Sequence, residues 1–131
     1  MSYISEIMDK LAAAADALQL YAGIVYGSDP PVDGICMIQS SGFPSEKHLN
    51  AGMLYRLPVL INAKHSRQET AMAALEAIHT ALTKTNDFTD LCTDAAQVIN
   101  VATTASPTVI GREQNSQWIC GSSVEVSFYW R

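Results

Sequence analysis

The clearest pattern in the chain is its last one. In "WICGSSVEVSFYW" (118–130), Trp118, Cys120, Ser122, Val124, Val126, Phe128 and Trp130 alternate with Ile119, Gly121, Ser123, Glu125, Ser127 and Tyr129. A period of two predicts a strand with one face on the core and one largely wet. Residues 53–63 alternate in the same way, with Met53, Tyr55, Leu57, Val59, Ile61 and Ala63 on one face. Pro58 lies on the other face and lacks an N–H, so this strand is expected at a sheet edge or bulged there.

Helical spacing appears twice. Residues 3–19 carry Ile4, Ile7, Met8, Leu11 and Leu18 on one stripe, with Ser2 or Ser5 as cap and alanines 12–15 for close packing. After the strand at 53–63, Ser66 and Glu69 have the S-x-x-E spacing of a capping box. A second helix is expected to follow at once, with Ala71, Met72, Leu75, Ile78 and Leu82 buried and Asn86–Asp87 as its stop.

Shorter strands are expected at 20–27, 35–40, 98–104 and 107–112, the last forming a hairpin with 118–130. Residues 41–53 show no period and several breakers, so they are read as loop, and 87–96 fit a short helix or a loop. The order is α-β-β-β-α-β-β-β. It predicts an α+β fold, a mostly antiparallel or mixed sheet with two helices packed on one face. Residues 1–131 are expected to form a single domain with a flexible excursion at about 28–52. Ile35, Met37, Phe43, Leu49 and Met53 lie in or beside that excursion and suit either a surface that orders against a partner or a packed surface loop.

Composition narrows the function. With 48% hydrophobic and 16% charged residues there is material for one core. No run of about 18 apolar residues is present to span a bilayer as a helix. Glu6 and Asp9 stand where a signal peptide carries positive charge, so export by that route is not expected. The net charge of −5 and the scattered Lys and Arg residues argue against a broad nucleic-acid surface. Cys36, Cys92 and Cys120 include no C-x-x-C and are expected to be reduced, mostly buried thiols.

Catalytic patterns are missing. His48, His65 and His79 have no zinc-ligand spacing. Ser40 and Ser41 precede Gly42 without the G-x-S-x-G of a nucleophile elbow. A Cys–His pair brought together in space stays open as a hydrolase alternative. Asp87, Asp90 and Asp94 do not have calcium-loop spacing. The strand–turn–helix "NAKHSRQE" has no glycine with which to cradle phosphate, although Lys64, His65 and Arg67 near the helix start are candidate anion contacts. No catalytic, cofactor or metal site is assigned.

The segments "YRLPVLINAKH", "SRQETAMAALEAIHTAL" and "INVATTASPTVIGREQNSQWICGSSVEVSFYW" follow an N-terminal helix and a breaker-rich excursion. In this succession the chain resembles the tail-terminator and minor capsid proteins of long-tailed phages and prophages, chiefly over 53–130. The resemblance implies a small fold of helices packed on a sheet and no enzymatic activity. It implies a protein that caps the tail tube as a ring, commonly of six copies, and supplies the tail-to-head joining surface.

The implied partners are other copies of the chain, the tail tube protein and head–tail connector proteins. DNA would pass through the ring without specific binding, no membrane would be involved, and the location would be the virion's head–tail junction after assembly in the host cytoplasm. The alternatives are another head–tail joining or completion protein, or a small anion-binding module. A ring needs two different surfaces meeting head to tail. The candidates are the edge strand with Tyr55, Arg56 and Pro58, and the excursion with Phe43 and Leu49. Deleting 41–50 is expected to spare the fold and abolish assembly.

Overall fold

Strand β4 (Gly52–His65) organises the molecule. The computed structural model describes residues 3–26, 33–39, 43–48, 52–83, 96–113 and 116–130. Along them run α1 (Tyr3–Asp16), β1 (Ile24–Tyr26), β2 (Gly34–Gln39), β3 (Phe43–His48), β4, α2 (Gln68–Thr83), β5 (Ala96–Arg112) and β6 (Trp118–Trp130). The sheet order is β1-β2-β4-β6-β5, with β3 also paired to β4. Every pairing is antiparallel except β1 with β2. The α+β class and the mixed sheet with two helices are as expected, but four strands precede α2 and two follow it.

Alternation builds the core. Register pairs Leu57 with Val126, Val59 with Val124 and Ala63 with Cys120. Ile35 and Met37 of β2 stand opposite Ala63 and Ile61. These residues join one cluster with Ile7, Met8 and Leu11 of α1 and Ala71, Leu75, Ile78 and Leu82 of α2. Both helices therefore pack on the same sheet face. Burying a large aliphatic side chain of this kind stabilises by about 1.5–3 kcal/mol. No helix among the described residues is long and apolar enough to cross a membrane.

Four expectations are corrected. First, β4 is central, flanked by β6 on one side and by β2 and β3 on the other. Among the described residues, no ladder pair on the β2–β3 side falls on its proline. The β2 ladder ends at Gln39↔Val59 and the β3 ladder begins at Phe43↔Arg56. Leu57 and Pro58 fall between them, where β4 changes partner.

Second, residues 43–48 are a strand, although "FPSEKH" has no period. Pairing to β4 creates it, with a register shift between Pro44 and Glu46. Third, 98–104 and 107–112 are one strand that passes Pro107 by register shifts. Fourth, α1 stops at Asp16, where Leu18 and Gln19 N–H groups turn back to the Ala15 and Asp16 carbonyls and Gln19 adopts a φ of 54°. Leu18 is therefore exposed. The Asp16 carboxylate accepts the Ile24 N–H at 2.8 Å, and of the strand expected at 20–27 the described residues 20–26 form 24–26. The segment 87–95, read as helix or loop, lies outside the described residues.

Candidate functional site

The start of α2 is the first candidate. The Ala71 N–H donates to the Arg67 carbonyl at 3.3 Å, which puts Arg67 at the N-cap position. Ser66 and Glu69 are therefore one residue out of register for a capping box. Other side chains serve the turn. His65 Nδ1 accepts the Arg67 N–H at 2.9 Å, and Asp33 Oδ1 accepts the Ser66 N–H at 3.3 Å. An accepting Nδ1 holds the neutral His65 ring in its Nε2–H tautomer.

Around this turn the chain closes on itself. The Tyr21 ring meets His65 edge-on, with centroids 4.7 Å apart. Its hydroxyl lies 2.7 Å from the Lys64 carbonyl and 2.9 Å from the Gly34 carbonyl, a register pair of β4 and β2. A phenol has one proton, so the two carbonyls share it. Burial pushes the Tyr21 pKa up, and the Asp33 charge adds to this. Lys64 Nζ pairs with Glu113 Oε1 at 3.0 Å, its side chain 8% exposed. Gln117 Oε1 accepts the Asp33 N–H at 2.9 Å.

Of the three candidate anion contacts, Lys64 is thus committed to Glu113 and His65 to the backbone of the turn. Arg67 is exposed. Two carboxylates, Asp33 and Glu113, stand among them. The cluster joins α2, β2, β4 and the β5–β6 turn, and its chemistry is that of a structural lock.

The second candidate is the arm formed by β3 and the first residues of β4. Phe43 is the register partner of Arg56, and Tyr55 that of Pro44 and of Phe128. Arg56 is exposed and stands 3.9 Å from Glu125, which lies opposite Pro58 on β6. Phe43, Tyr55 and Arg56, expected on two separate surfaces, therefore share one arm, with Pro58 just beyond its last pair. Leu49 lies outside the described residues.

A third surface was not singled out from the sequence. The sheet face away from the helices bears exposed Val25, Leu60 and Ile110, the last 62% exposed. Ile110 lies against buried Gly121 and close to Asn62. The signal in the sequence was the run of small residues on the outer face of β6, Gly121 and Ser123, which leaves room for neighbours to lie over it. Thr104 and Ser123 hydroxyls meet beside it at 2.7 Å.

No cluster of three or more His, Cys, Asp or Glu residues suited to a metal ion occurs among the described residues. Cys36 and Cys120 are buried and in no disulfide, and burial pushes the Cys120 thiol pKa up. Cys92 lies outside the described residues.

The whole fold has a counterpart in a virus-like particle. The chain is similar to a chain of "Virion of native gene transfer agent (GTA) particle", with a TM-score of 0.58 over 94% of this chain and 91% of that one. Sequence identity is 11%, so the likeness is one of fold. No protein-family model matches the chain, and no curated protein does.

Proposed function

We propose that this chain is a structural protein of a phage-like virion, acting as the tail terminator. In this reading a ring of copies, six by the resemblance, caps the tail tube and offers the surface that the head joins. The observation that carries it is the likeness of nearly the whole chain to a chain of a gene transfer agent virion. Of the side chains that looked most like an anion site, Lys64 is paired with Glu113 and His65 with a backbone N–H, which favours scaffold over ligand site. The acidic balance suits a channel wall past which DNA moves without sticking. The β3–β4 arm with Phe43, Tyr55, Arg56 and Pro58 is a candidate contact surface. In this reading the protein performs no catalysis.

The test is light scattering on a sizing column over a range of concentrations, with negative-stain images, followed by addition of the protein to isolated tails that lack a cap. Discrete rings, or binding at one tail end that stops tube growth, support the terminator. Binding only to the head's portal end assigns the chain to another head–tail joining role. A protein that neither forms rings nor binds tails or heads overturns the reading.

A further inference from the structure

The sheet leaves two long edges open. On one side β5 pairs only with β6, and on the other β3 pairs only with β4, among the described residues. An open edge is a row of unpaired N–H and C=O groups, and native sheets blunt it with charge, with bulges or with a covering element. The sequence from Ala96 to Gly111 contains no Asp, Glu, Lys or Arg. Residues 102–106 are all exposed, so no element of the described chain covers them.

Bulges are the remaining guard, and they are unevenly spread. Register shifts fall between Val98 and Asn100, and again between Thr103 and Ala105. Between them Asn100, Val101, Ala102 and Thr103 pair without interruption with Ser127, Val126, Glu125 and Val124. This is a regular, uncharged stretch of edge flanked by irregular ones, which limits where another strand can pair.

We infer that the Asn100–Thr103 edge of β5 takes an extended strand from a second copy of this chain, and that the strand is β3. The inference rests on the ring reading above. Another backbone in extended form matches a row of alternating donors and acceptors along its whole length. Pairing of β5 with another β5 would be two-fold and close a dimer, whereas pairing with a different edge is head-to-tail and can close a ring. The remaining edge strand, β1, has three residues, and β3 has six. Glu46 and Lys47 of β3 meet no like charge on this stretch of β5.

Cysteine cross-linking tests it, with Cys92→Ser in every variant and the buried Cys36 and Cys120 retained. The double variant Ala102→Cys/Lys47→Cys is expected to give a ladder of disulfide-linked oligomers on mild oxidation. Each single variant is expected to stay monomeric on denaturing gels. Dimers from Ala102→Cys alone overturn the choice of β3 as occupant. Rings seen by scattering without a ladder overturn the edge contact and leave the terminator reading standing. Absence of both, with isolated tails supplied, overturns both. Circular dichroism melting of each variant identifies any that fails to fold, and Asn100→Cys then replaces Ala102→Cys.

Discussion

His79 Nδ1 lies 2.8 Å from Thr103 Oγ1, tying helix α2 to the exposed strand β5. His79 is 6% exposed, and its Nε2 is buried without a hydrogen-bond partner. Burial lowers the pKa of this histidine below 6.5 in the folded chain. The unfolded chain therefore binds the proton first as pH falls. The His79 contribution to stability is full above about 6.5 and is lost as pH drops below it. Melting temperature measured from pH 7.5 down to 5 is expected to fall more steeply for the wild type than for His79→Asn. The variant is less stable at pH 7.5 by about 1–2 kcal/mol, through lost packing. Equal slopes would mean that other groups set the acid sensitivity.

Tyr21→Phe removes a hydroxyl shared by the Gly34 and Lys64 carbonyls. The expected cost is about 1–2 kcal/mol in urea unfolding, since one hydrogen bond is lost and two acceptors are left to water. Hydrogen exchange should quicken in β1 and at the start of β2, which the ring anchors to β4. A uniform change across the chain would contradict a local lock.

The Lys64–Glu113 pair is asymmetric, with side chains 8% and 35% exposed. Removing the wetter partner strands the buried charge. Glu113→Gln is expected to cost roughly 1–3 kcal/mol, and Lys64→Met less, within about 1 kcal/mol of neutral. Denaturant midpoints of the two variants decide it; the reverse order would show that the lysine amine is well solvated.

At Gly121 a Cβ would stand 2.5 Å from Ile110 Cδ1 and 2.9 Å from Asn62 Oδ1. Both obstacles are side-chain ends, and Ile110 is mostly exposed, so Gly121→Ala is expected to cost only about 1 kcal/mol. Ile110→Ala in the same chain should return most of it. A double-mutant cycle with no coupling would place the Ile110 side chain elsewhere in solution.

Period-two alternation made β4 and β6 readable, because each has one face on the core and one off it. The α2 stripe was readable for the same reason at helical spacing. Strand β3 was not, because "FPSEKH" owes its extended form to pairing with β4, a relationship absent from local pattern. Pro58 misled for a related reason: whether a missing N–H matters depends on the neighbour, and here, among the described residues, no ladder pair on the β2–β3 side falls on it. The helix-start residues Lys64, His65 and Arg67 were read as anion contacts, whereas Lys64 pairs with Glu113 and His65 with the backbone of the turn. Their partners, Asp33, Glu113 and Tyr21, were invisible because they arrive from distant segments. The uncharged run in β5 was visible in the sequence but acquires meaning only once the strand is known to lie at an edge.

Strands β2 and β3 lie end to end along β4, each with its own register. Sliding a strand by one residue turns its side chains to the opposite face. In one unbroken strand, a single inserted residue near Phe43 would carry that error into Ile35 and Met37 and so into the core. With two separate ladders, the slip stays within β3. The outer arm is therefore free to change in length and sequence over evolutionary time while the core beneath it keeps a constant form. Chains built on this plan would be expected to diverge first in that outer arm.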